Sequence, residues 1–315
     1  MKELAPIAVS TYSRVNHLRR TIEALQQNTF AKESELYVFS DAPKVGDEDK
    51  VAAVRKYLGG VQGFKNVTIF EREENDRVKN NRGGMRDVLD IHGRIIFIEE
   101  DVVSAPGFLQ FMNEALCKYE NEKRVFSITG WCPKFRSAFP LPKGSTFFVP
   151  RFGGWGFGIW RDRFEKIREI SEDDLKRLEG NRVALDRIAR QMGDDVLPMI
   201  RNEAAGLTNA LDLRCCFHQA MTGELTLYPY PSLTRNIGLD GTGEHCGVML
   251  EDVNGPLANT VGNAYQWPRD IVVNDDVAAI YADSFRRSLH TRIANLIANK
   301  LLQLWNKSKL ISIFS

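Results

Sequence analysis

Three acids stand side by side at Glu99, Glu100 and Asp101, directly after the apolar run Ile95-Ile96-Phe97-Ile98. Four β-branched or aromatic residues in a row predict a strand buried on both faces of a parallel sheet. Three adjacent carboxylates repel one another and resist desolvation. They are tolerated where water reaches them or where a divalent cation neutralises them. One reading is a solvated acidic turn ahead of the helix that Pro106 introduces. The other is a metal or nucleotide site, because open α/β sheets collect ligands at the carboxyl ends of their strands. The position at a strand end favours the second.

Other groups capable of chemistry follow strands in the same way. Thr11-Tyr12-Ser13-Arg14 is a polar turn after a first strand over Pro6 to Ser10, and Ser40-Asp41 ends a second strand over Leu36 to Phe39. Further along, Asp212 sits among apolar neighbours in Leu211-Asp212-Leu213-Arg214 within a region, 161–221, that reads as helical. Asp disfavours a helix interior, so it needs a capping or chemical role there. Asp194-Asp195 is a second acidic pair, but Gly193 and Pro198 around it read as a helix start. Arg151 to Trp160 carries four glycines and two tryptophans. Glycine there either lets rings pack on bare backbone or lets a ligand approach closely, and we read Gly154, Trp155 and Gly156 as a binding loop. His245 lies in the Gly-rich stretch Asn236 to Cys246, where a structural role and a ligand role are evenly matched.

The elements that must position these groups alternate. Strands at 36–39, 67–70, 95–98 and 125–129 are separated by helices at 17–28, 47–58, about 79–85 onward, and 107–119. Steps of about 30 residues are the rhythm of βαβ units and a mainly parallel sheet. Such a sheet puts Thr11 to Arg14, Asp41 and Glu99 to Asp101 along one edge. No GxGxxG follows the first strand and no GxxxxGK[ST] occurs, so neither the Rossmann dinucleotide fingerprint nor the P-loop applies. After residue 130 the rhythm breaks into a long aromatic and Pro-containing loop. A strand at 147–149 and another at 225–228 are expected beyond it.

Composition narrows the field. The chain has 315 residues with 42 basic and 41 acidic, a balance that gives no sign of nucleic-acid binding. Ile7-Ala8-Val9 is too short an apolar run for a signal peptide, and no run is long enough to span a bilayer. The five cysteines, Cys117, Cys132, Cys215, Cys216 and Cys246, show no CxxC spacing, so a reducing cytoplasm is the expected setting. Residues 284–315 hold six Arg or Lys and no Asp or Glu, with apolar residues at helical spacing from Leu289 to Trp305. That pattern predicts a helix docked on the domain or on a second subunit. The alternative is a basic amphipathic helix on an anionic membrane surface, which would make the protein peripheral at the inner face.

In order and spacing these residues together resemble the GT-A-fold glycosyltransferases, in particular the alpha-mannoside beta-N-acetylglucosaminyltransferase I group and its bacterial relatives. The likeness runs from about Ile7 to His245. It implies a GT-A, Rossmann-like α/β domain over 1–283, with a nucleotide-binding half to about 130 and an acceptor half after it. It also implies a nucleotide-sugar donor, most simply UDP-linked, a glycan or lipid-linked acceptor, and Mn²⁺ or Mg²⁺ as cofactor. By the same resemblance Asp101 would hold the metal, with His245 reaching the metal or the phosphates. Thr11, Arg14, Asp41, Glu99 and Glu100 would serve the nucleotide, Asp41 at the uracil and Arg14 at the diphosphate. Gly154 to Gly158 would lie against the donor sugar, and Asp212 would be the general base of an inverting transfer. Two competing functions are a sugar nucleotidyltransferase, which should carry a Gly-rich basic loop where Thr11 to Asn16 has no glycine, and a non-catalytic sugar-binding scaffold.

Overall fold

The computed structural model describes residues 3–242, 252–258 and 265–286. In the first half the chain runs β1 (Ile7–Thr11), α1 (Val15–Gln26), β2 (Glu35–Ser40), α2 (Glu48–Leu58), β3 (Asn66–Glu71), α3 (Gly84–His92), β4 (Arg94–Glu99), β5 (Val102–Ser104), α4 (Phe108–Lys118) and β6 (Val125–Thr129). The second half holds β7 (Ser145–Val149), β8 (Phe157–Trp160), α5 (Arg161–Phe164), α6 (Glu172–Glu179), α7 (Arg182–Arg187), α8 (Val196–Ala204), α9 (Leu211–Thr222), β9 (Leu225–Tyr230), β10 (Thr234–Asn236) and α10 (Asp275–Asp283). Eight strands form one sheet in the order β3-β2-β1-β4-β8-β6-β9-β7, and β5 pairs with β10 apart from it. β7 and β8 run against their neighbours, while the other six strands share one direction. This is the mixed α/β architecture with a mainly parallel sheet expected from the alternation.

The apolar run of β4 is buried because both its faces are covered. Ile96 and Ile98 pack into one core with Ile7, Val9 and the inner faces of α1, α2 and α4. Ile95 and Phe97 point the other way and pack with Ala8, α3 and residues of α7, α8 and α9. Successive side chains of a strand alternate between faces, so an unbroken apolar run requires helices on both. α1 meets the sheet through Leu18, Ile22 and Leu25, the stripe its spacing predicts.

Two elements depart from the sequence reading. Residues 157–160, read as part of a Gly-rich binding loop, form β8, an antiparallel strand wedged between β4 and β6. All four are buried, and Gly158 lies against Leu116, so the glycine that masks the strand pattern is there for packing. β5 follows the acids at once and is only three residues long, too short for periodicity to reveal. Of the tail at 284–315, only residues 284–286 are described. There Phe285 stacks its ring 3.5 Å from the Arg151 guanidinium, so the tail begins docked on the domain. The remaining expectation for the tail lies outside the described residues. Among the described residues, no helix is long and apolar enough to cross a membrane.

Candidate active site

Parallel neighbours end at the same sheet edge, and the β1–β4 register pairs Ser10 with Glu99. The turn after β1 therefore meets the acids after β4. Glu100 Oε2 accepts hydrogen bonds from Thr11 Oγ1 (2.6 Å) and the Tyr12 amide (2.7 Å), while Oε1 accepts from Arg14 Nε (2.7 Å). Thr21 Oγ1 on α1 donates to the Glu100 carbonyl at 2.7 Å. Arg14 Nη2 reaches Asp101 Oδ2 at 2.6 Å. Burial opposes the Arg14 charge, but Asp101 and Glu100 more than offset it and hold the guanidinium above its ordinary pKa. Glu100 thus has both oxygens engaged in ordering the turn, and Thr11 is held by it. Among the described residues, the buried Arg14 Nη1 and Asp101 Oδ1 find no hydrogen-bond partner.

Asp41, at the end of β2, is buried. Its Oδ1 accepts from the amides of Ala42 (2.9 Å) and Asp76 (3.1 Å), and Asn75 Nδ2 lies 3.3 Å from Oδ2. It therefore anchors the segment after β3 against the end of β2. From that segment Arg77 donates to the Asn209 carbonyl at 2.7 Å, tying the first half of the chain to the turn before α9. Sequence reasoning missed Arg77, since one Arg in the charged stretch Glu71 to Arg77 carries no distinguishing signal.

Asp212 lies in the first turn of α9, preceded by the extended Ala210. This resolves the oddity of an Asp in a helix, because acids are favoured in the first turn. Its carboxylate lies against the backbone of Gly154, where a Cβ would stand 2.3 Å from Oδ2. Gly154 is thus bare so that the acid can approach. Trp155 meets Trp131 edge-on at 4.8 Å between ring centroids, and its carbonyl accepts from Thr234 Oγ1 at 2.6 Å. Gly156 faces inward toward Thr234 and Phe108 with φ +84°, a backbone bend that delivers the chain into β8. Of the three loop residues singled out from sequence, Gly154 and Trp155 line a cavity of about 770 Å³ and Gly156 does not.

That cavity is also lined by Trp131, Phe135, Arg151 and Asp212. Protein crowds the Asp212 carboxyl while its open side faces the cavity, where solvent reaches it. Burial pushes its pKa up to about 6, and Arg151 and Arg77 limit the rise. Glu99 is also raised, first by burial and then by the negative charges of Asp101 and Asp212. The end of β4 and the start of α9 therefore lie within electrostatic reach of one another. Asp195, the alternative acid, is held elsewhere: it precedes α8 and makes a bidentate pair with Arg151 at 2.7 and 2.9 Å.

Asp101 Oδ1 offers one hard, buried, unpartnered oxygen. Mg²⁺ or Mn²⁺ held by one carboxylate and completed by phosphate oxygens and water asks no more of the protein. Among the described residues no three His, Cys, Asp or Glu side chains converge on a point, so the chain there builds no closed cage. The residues fit an ion that arrives with its phosphates. His245 lies outside the described residues.

No protein-family model matches the chain, and no curated protein matches it. Solved structures do. GalNAc-T7 with UDP, GalNAc and Mn²⁺ matches at 12% identity over 74% of this chain and 43% of that one, with a TM-score of 0.44. The mannosyltransferase PcManGT from Pyrobaculum calidifontis, in complex with GDP-Man and Mn²⁺, matches at 15% identity over 55% and 46%, with a TM-score of 0.34. S. aureus TarS matches at 14% identity over 47% and 25%, with a TM-score of 0.31. The chain spans less than half the length of each of these three. Likenesses this loose carry no argument about activity or about any residue.

Proposed function

We propose that this protein is an inverting, metal-dependent glycosyltransferase that moves a sugar from a nucleotide donor to an acceptor hydroxyl. The observation that carries the reading is Asp212. It is a carboxylate with a raised pKa that lines the cavity of about 770 Å³ and whose charge is felt at Glu99, next to the acids that hold Arg14. A base is most effective when its pKa lies near the working pH, and a carboxyl near 6 meets that condition better than an ordinary Asp.

In this reading Arg14 binds the donor diphosphate, and Asp41 supports the segment that receives the base, most simply uracil. Mn²⁺ or Mg²⁺ at Asp101 Oδ1 would neutralise the charge that develops on the departing nucleoside diphosphate. Gly154 and Trp155 lie against the donor sugar. Asp212 takes the proton from the acceptor hydroxyl as its oxygen bonds to the anomeric carbon and the bond to the diphosphate breaks. A single displacement of this kind inverts the anomeric configuration. A glycan or a lipid-linked sugar is the acceptor class, with residues 1–283 as the catalytic unit.

The first test needs no acceptor. The full chain is incubated with Mn²⁺ and a panel of UDP- and GDP-sugars, and slow release of free sugar is followed. We expect one donor to be hydrolysed faster than the rest, with the product's initial anomeric configuration inverted. UDP with Mn²⁺ at 100 times its Kd should also stabilise the fold by about 2.7 kcal/mol. Absence of both hydrolysis and stabilisation would overturn the reading in favour of a non-catalytic scaffold.

A further inference from the structure

We infer that the acceptor carries an anionic group, a carboxylate or a phosphate, apart from the hydroxyl that is glycosylated. This rests on the reading of Asp212 as the base and goes beyond it to the acceptor's chemistry. Among the described residues six charged ones line the cavity: Lys134, Arg136, Arg151, Asp195, Asp212 and Asp252. Three of them are neutralised in pairs. Arg151 is held by Asp195 at 2.7 Å, and Asp252 by Arg235, outside the lining, at 2.5 Å. What remains is Asp212 against Gly154, and two exposed cations, Lys134 and Arg136, on the irregular segment that follows β6. Among the described residues neither cation has an ion-pair partner. The cavity is therefore polarised, negative where the proton is to be taken and positive along the 131–136 segment.

Trp131 and Phe135 offer ring surface to the C–H face of an acceptor sugar. Unpaired cations along the wall of a cleft raise the local concentration of anions. A neutral glycan would use the aromatic wall and leave both cations idle, whereas an acidic or phosphorylated glycan uses both. The Arg14 site already offers a guanidinium to the donor diphosphate, so the second pair of cations is available to a second ligand.

The test is direct binding to the full chain at low salt. The probes are methyl β-D-glucuronide for a carboxylate, glucose 6-phosphate for a phosphate, and methyl β-D-glucoside as the neutral control. We expect at least one anionic probe to bind about tenfold more tightly than the neutral one, a size fitting two exposed charge contacts. That preference should shrink at high salt as the charges are screened. The tighter of the two anionic probes identifies the source of the charge. The double variant Lys134→Glu/Arg136→Glu should erase the preference without lowering the melting temperature, since both side chains are exposed. Equal affinity for all three probes, no binding of any, an unchanged preference in the double variant, or displacement of the anionic probe by UDP with Mn²⁺ would each overturn the inference. Failure of the parent reading looks different: the anionic preference is present, but no nucleotide sugar is hydrolysed.

Discussion

Replacing Asp212 by Asn removes one charge and keeps the shape of the side chain, so it separates chemistry from packing. A rise in pKa from 3.8 to about 6 means that the folded protein prefers the neutral carboxyl. In a fully dry site that rise would correspond to about 3 kcal/mol. The carboxyl opens onto the cavity, and solvent there reduces the figure to about 1 kcal/mol. The sign follows from the raised pKa. The penalty is absent below about pH 4, where folded and unfolded chains are both protonated. It grows as pH rises through the folded pKa and is complete above about pH 6. Asn carries no such penalty. Asp212→Asn should therefore melt with the unaltered protein at pH 4 and about 2 °C above it at pH 7.5. Transfer should fall by about 10²–10⁴-fold, the usual contribution of a general base, with donor binding retained. Two measurements decide the matter: melting curves at the two pH values, and initial rates with the donor found by hydrolysis screening. A variant that turns over normally removes Asp212 from the mechanism. One that is no more stable at pH 7.5 refutes the account of its environment.

Gly154→Ala places a methyl group where the Asp212 carboxylate now lies, and its ordinary backbone angles accept alanine. Rates should fall by at least about tenfold through misplacement of the base, with donor affinity unchanged in titrations. Arg14→Ala leaves Glu100 and Asp101 side by side without their cation. Stability to urea should drop by about 2–3 kcal/mol, and the melting shift given by UDP with Mn²⁺ should disappear. A variant that keeps that shift would show that the diphosphate binds elsewhere.

Much of the fold is legible in one dimension because each strand and helix in the first half carries its own periodicity. Ile95 to Ile98 announces a strand covered on both faces, and Leu18, Ile22 and Leu25 announce the stripe of α1. The common edge for Thr11 to Arg14, Asp41 and Glu99 to Asp101 follows from parallel pairing alone. β8 was hidden because Gly158 interrupts the alternation, and β5 because three residues hold no period.

The division of labour within the site belongs to the tertiary structure. Residue types identify Glu99, Glu100 and Asp101 as a group, but only their neighbours decide that Glu100 orders the β1 turn while Asp101 keeps one oxygen unpartnered. On paper Asp195 belongs to a pair that reads as a helix start, and Asp212 is an acid in need of a role. Folding gives Asp195 an arginine and gives Asp212 a bare glycine backbone and an open cavity. A sequence records which groups are present and how far apart they lie along the chain. Charge pairing and desolvation act through space over a few ångströms, and those distances exist only once the sheet has brought β4 and α9 together.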